Sequence, residues 1–197
     1  MKKLFLTLAA LTFAIGAHSA SASLIIGDIS QDIVHSGYSY TGGGISAAEA
    51  AFDAGSAACS SSLTSVNLVS PCRNRNYGQK ISIELSNYGT TWFELGTDWG
   101  RGGIIYIENG SYVDVLGDIW WGYDWDDAFS FYLNGNYSGT LTLLGFEGCC
   151  GGATSLRYST DGRDSWNIAA INVPEAGTLG LLFLGTLGLL LARRRNA

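Results

Sequence analysis

Beyond Gln79 apolar and polar residues alternate, and this period of two limits the fold more than any other feature. In the stretch 80–85 it puts Ile81, Ile83 and Leu85 on one face and Lys80, Ser82 and Glu84 on the other. That is the pattern of a half-buried strand. Further strands are expected over 91–95, 104–108, 112–116, 129–133, 140–144, 155–159 and 166–171. Asn109-Gly110, Asn134-Gly135-Asn136 and Asp161-Gly162 supply turns between them. With no helical crossovers between these strands, a parallel sheet is excluded, and the expected class is all-β, an antiparallel sandwich or jelly roll. The one helical stretch precedes the strands, over 46–58, where Ser46 and Glu49 stand in capping-box register and Gly55 and the serines at 60–62 close it.

The two ends differ from this body. Residues 1–22 start with Lys2 and Lys3, run apolar over 4–17 and finish with Ala20-Ser21-Ala22. This three-part pattern is a secretory signal, with signal peptidase expected to cut after Ala22. At the other end the stretch 177–192 is apolar apart from Thr178 and Thr186, and Arg193, Arg194 and Arg195 follow. At about 1.5 Å per residue it is marginal for a bilayer core of roughly 30 Å, and flanking residues or a thinned bilayer let it span. The arginines hold its end in the cytoplasm, which leaves residues 23–172 as one exported domain.

Val173-Pro174-Glu175, the apolar segment and Arg193-Arg194-Arg195 together resemble the PEP-CTERM sorting signal of Gram-negative bacteria, within a tail spanning 173–197. Ala176 stands where that pattern has a second proline. The resemblance implies recognition by exosortase, a membrane transpeptidase, and processing near the Pro-Glu pair. It implies a transient hold in the inner membrane and delivery to the cell surface or to an extracellular polymer. Phe146-Glu147-Gly148-Cys149-Cys150-Gly151-Gly152 resembles the Cys-Cys-x-Gly feature of a subgroup of small exported β proteins with that tail.

Setting aside Lys2, Lys3 and the three terminal arginines leaves 6 basic residues of 11 against 17 acidic ones, a net charge of −11. Binding to nucleic acid or anionic lipid needs clustered Lys and Arg, so both are disfavoured as partners. All four cysteines, Cys59, Cys72, Cys149 and Cys150, fall in the exported body, where disulfides are expected. Cys59 with Cys72 closes a short loop. The adjacent pair either bonds within itself or reaches back to the other two, and the flanking glycines give the turn its freedom. No cofactor or metal cluster is expected.

The segment 118–127 concentrates Trp120, Trp121, Tyr123 and Trp125 among aspartates. On an exposed loop these rings would stack on sugar faces while carboxylates accept from hydroxyls, a candidate polysaccharide site. Asp124, Asp126 and Asp127 are weak candidates for Ca²⁺, because the spacing is not that of an EF-hand loop. The alternative is that the tryptophans fill the core and the aspartates cap turns. For catalysis there is one histidine in the body, His35, and no Gly-x-Ser-x-Gly elbow. Glu84, Glu94 and Glu108 read first as outward-facing strand residues. The expectation is a non-enzymatic structural or adhesive component of the surface or exopolysaccharide, with carbohydrate binding as the alternative.

Overall fold

The computed structural model describes residues 23–172, apart from residue 74 and residues 108–111. The signal at 1–22, the tail from Val173 with its apolar run, Glu108 and the Asn109-Gly110 turn lie outside the described residues. Within them the order is β1 (Ser23–His35), α1 (Gly44–Asp53), β2 (Ser56–Leu63), β3 (Tyr77–Tyr88), β4 (Thr91–Gly96), β5 (Gly103–Ile107), β6 (Tyr112–Val115), β7 (Phe129–Leu133), β8 (Asn136–Glu147), β9 (Ser155–Ser159) and β10 (Asn167–Ile168). They form two antiparallel sheets, six strands ordered β2-β1-β3-β8-β5-β6 and four ordered β10-β9-β4-β7. This is the expected two-sheet sandwich. No helix among the described residues is long and apolar enough to cross a membrane.

The alternation in β3 does what a period of two demands. Ile81, Ile83 and Leu85 are buried, and across the ladder Ile81 pairs with Leu143 and Ile83 with Leu141. The four-stranded sheet sends Phe93, Leu95, Phe131 and Leu156 into the same core, with Phe93 stacked on Phe131 at 5.1 Å. Each such side chain contributes about 1.5–3 kcal/mol on leaving water.

The large sheet is covered on its other face as well. Ala48 and Phe52 of α1 pack on Val34, Ile104, Leu144 and Phe146. The second half of β8 is therefore buried on both faces, and its sequence from Leu141 to Phe146 is accordingly apolar apart from Thr142. Lys80, on the same outer face, pairs with Glu49 of the helix at 2.7 Å.

Several boundaries differ from expectation. The helix runs Gly44–Asp53, and residues 56–58 belong to β2. Gly43 occupies the N-cap with a left-handed backbone and no side-chain cap, so Ser46 and Glu49 form no capping box. Glu49 instead reaches Lys80 and the Tyr106 hydroxyl. Strands begin at Ser23, well before residue 80. A register shift between Ile26 and Ile29 breaks the alternation of β1, and β2 is an edge strand made largely of serine and alanine, which carry little strand preference. At the far end only Asn167–Ile168 of the stretch 166–171 pairs as a strand. Ala170 and the Ile171 amide instead bond back to Ser65 and Thr64.

The described chain starts and finishes in one place. Asn172 donates its N–H to the Ile26 carbonyl at 2.9 Å, and Ile26 donates to Asn172 Oδ1 at 2.6 Å. Ile26 pairs with Leu85, whereas Tyr77 at the other end of β3 pairs with Glu147. The run of β3 from Leu85 to Tyr77, about 25 Å long, thus separates the exit toward the tail from the Glu147 end of the sandwich.

Candidate functional site

The Glu147 end gathers the loop after β6 and the turn after β8. Val115 closes β6, and Ile119 bonds in both directions to the backbone of Trp99, which fixes the next residues against the sandwich. Trp121 then turns inward. It is 6% exposed, its indole lies across Gly96 so that any Cβ there would overlap it, and its Nε1 donates to the Asp124 carbonyl at 2.9 Å. Asp124 caps a short 3-10 turn, Trp125–Asp127, by accepting from the Asp126 N–H at 3.1 Å.

The four aromatic residues of this loop therefore divide. Trp120 is 70% exposed and Tyr123 62% exposed, with Tyr123 at a left-handed φ of 66°. Trp121 packs 5.1 Å from the Tyr123 ring and 5.1 Å from the Trp125 ring. Trp125 is half-buried and lies 4.3 Å from the Arg157 guanidinium, which has Trp166 on it at 4.6 Å and pairs with Glu94 at 2.5 Å. Both alternatives weighed for the segment find members here: Trp120 and Tyr123 stand in solvent, whereas Trp121, buried on Gly96, and Trp125, stacked on Arg157, pack against the sandwich.

Asp124, Asp126 and Asp127 are exposed, and among the described residues no group of three or more His, Cys, Asp or Glu side chains is placed to hold a metal ion. Of the carboxylates weighed for hydrolysis, Glu84 accepts from Thr140 at 2.7 Å and Glu94 is held by Arg157. His35 lies 2.9 Å from Arg73.

The turn after β8 is built on Glu147, which sequence reasoning passed over. It is 1% exposed, and its carboxylate accepts from the N–H groups of Gly100, Gly148 and Cys149, each at 2.6 Å. The signal available in the sequence was a carboxylate ending the apolar run of β8 just before a Gly-Cys-Cys turn. Cys149 is bonded to Cys150, and Cys59 of β2 is bonded to Cys72. Asp98 is packed against Gly152, close to both loops. Burial first, then the charges of Glu147 and Asp118, push its carboxyl up to about 6.

A C-terminal sorting signal implies an exported protein. Residues 172–195 match the PEP-CTERM protein-sorting motif, so the chain carries that tail. The match is confined to those residues and does not reach Cys149 and Cys150. No curated protein matches the chain. Similar solved structures include the PA14 domain of the MpAFP antifreeze protein, at 14% identity and TM-score 0.47, covering 75% of this chain and 89% of that one. The Epithelial Adhesin 9 A domain of Candida glabrata, solved in complex with Galb1-4GlcNAc, has 10% identity and TM-score 0.46, covering 78% and 91%. The PA14 sugar-binding domain from an RTX adhesin has 9% identity and TM-score 0.41, covering 75% and 99%.

Proposed function

We propose that the chain is a non-enzymatic adhesive component of the bacterial surface or extracellular polymer, and that it contacts polysaccharide through Trp120 and Tyr123. Signal peptidase frees its N-terminus, and exosortase processes the tail after a passing hold in the inner membrane. The observation that carries the contact is the 70% exposure of Trp120 on a loop pinned by its buried neighbour Trp121. A large aromatic side chain left in water on a fixed backbone has little freedom to lose when a sugar ring stacks on it.

The test uses the full-length chain in detergent on immobilised polysaccharide from the producing bacterium. Trp120→Ala should weaken binding by about tenfold, the loss of one stacking contact. Unchanged binding by Trp120→Ala and Tyr123→Ala would remove the reading. Sorting is checked separately by intact mass: extracellular protein should begin at Ser23 and end near Glu175.

A further inference from the structure

In a chain with 17 acidic residues against 11 basic ones, three guanidinium groups gather around a single turn. Arg75, exposed, lines an open cavity of about 640 Å³ together with Gly148, Cys149, Cys150 and Gly151. Arg73 lines a second cavity of about 430 Å³ that also has Gly151 in its wall, so the two adjoin at the turn and are taken together as one groove. Arg101 lies under that turn, so close that a Cβ on Gly148 would overlap its guanidinium.

None of these arginines forms an ion pair among the described residues. Arg73 Nη1 bonds to His35 Nε2, and since guanidinium only donates, the imidazole is the acceptor. Arg73 Nε and Arg101 Nη1 are buried without any hydrogen-bond partner, an arrangement proteins normally avoid. Two carboxylates border the turn, but neither closes the groove. Glu147 is taken up by three backbone N–H groups, and Asp98 packs against Gly152.

We infer that this groove binds carboxylate groups of an acidic polysaccharide, one built with uronate sugars. Arg75 meets a carboxylate directly, because a planar fork of donors matches two carboxylate oxygens. Arg73 takes up the chain further along the groove, and Arg101 holds the turn and adds positive potential from below. A polymer suits two open cavities in series better than a small anion does, and each of the two, at about 640 and about 430 Å³, is in the range of ligand sites. The inference rests on the polysaccharide-contact reading for the class of ligand, but it uses different residues.

The experiment compares binding of the full-length chain, in detergent, to polygalacturonate and to the same polymer fully methyl-esterified. Polygalacturonate should bind at least about tenfold more tightly, and Arg75→Gln should cost about tenfold on the acid form alone, the worth of a charge-assisted pair. Arg73→Gln gives a second variant, and Trp120→Ala should weaken both polymers alike. Equal binding of acid and ester, or an Arg75→Gln protein that binds as wild type, overturns the groove while leaving Trp120 stacking intact. Acid-selective binding that ignores Trp120→Ala removes the stacking reading and keeps the groove. Binding of neither polymer overturns the groove as well.

Discussion

Trp121 rests on Gly96, and no residue with a Cβ fits beneath it. The contact joins the end of β4 to the loop after β6, so it sets where Trp120 and Tyr123 stand. Gly96→Ala should force the indole off its seat at a cost of about 1–3 kcal/mol, the usual penalty for overpacking. Urea unfolding followed by tryptophan fluorescence reads both effects, a lower midpoint and a red-shifted native spectrum. A native spectrum identical to wild type would mean that the loop is positioned by other contacts.

Glu147 makes a second prediction. Glu147→Gln replaces an acceptor of three backbone N–H groups with a weaker one that also adds donors. A loss of about 2–4 kcal/mol is expected from weakened charged hydrogen bonds. Amide exchange should accelerate at Gly100, Gly148 and Cys149 more than in the centre of β8. Uniform acceleration through the strand would show that the carboxylate supports the whole sheet rather than the turn.

The Cys59–Cys72 bridge ties edge strand β2 to the loop before β3 with a sequence separation of 13. Closing a loop of that length in the unfolded chain is worth about 3 kcal/mol in the entropic account. The double variant Cys59→Ser with Cys72→Ser should lose roughly that amount in denaturant titration. An unchanged midpoint would show that the bridge is without thermodynamic weight.

Asp98 sets a pH dependence. Its folded carboxyl titrates near 6, above the ordinary value of 3.8. Between those values the folded state keeps a proton that the unfolded state has released, so this group lowers stability as pH rises from about 4 to about 6. Asp98→Asn removes the contribution. Against wild type, the variant should gain relative stability across that window and hold the gain above it. A pH-independent difference between the two proteins would contradict the assignment.

How much of this was legible follows from where each signal comes from. Ile81, Ile83 and Leu85 were readable because alternation in β3 is a direct record of one face buried. The bulged β1 and the serine-rich β2 were not, since a register shift erases the period and an edge strand has little apolar surface to report. Trp120 and Trp121 are neighbours of identical type, and only the position of Gly96 decides which one is buried. Nothing local to 118–127 carries that information. The groove of Arg73, Arg75 and Arg101 is equally hidden, because Arg101 comes from a different loop than Arg73 and Arg75 and the overall acidity points away from it.

The meeting of Asn172 with Ile26 bears on timing. A chain still tethered at its C-terminus and one already released would both carry Trp120 and Arg75 at the Glu147 end of the sandwich, apart from the Asn172 end. On the proposed reading, capture by the surrounding polymer then needs no prior cleavage. Release would change how far the captured molecule can travel and leave its grip unaltered.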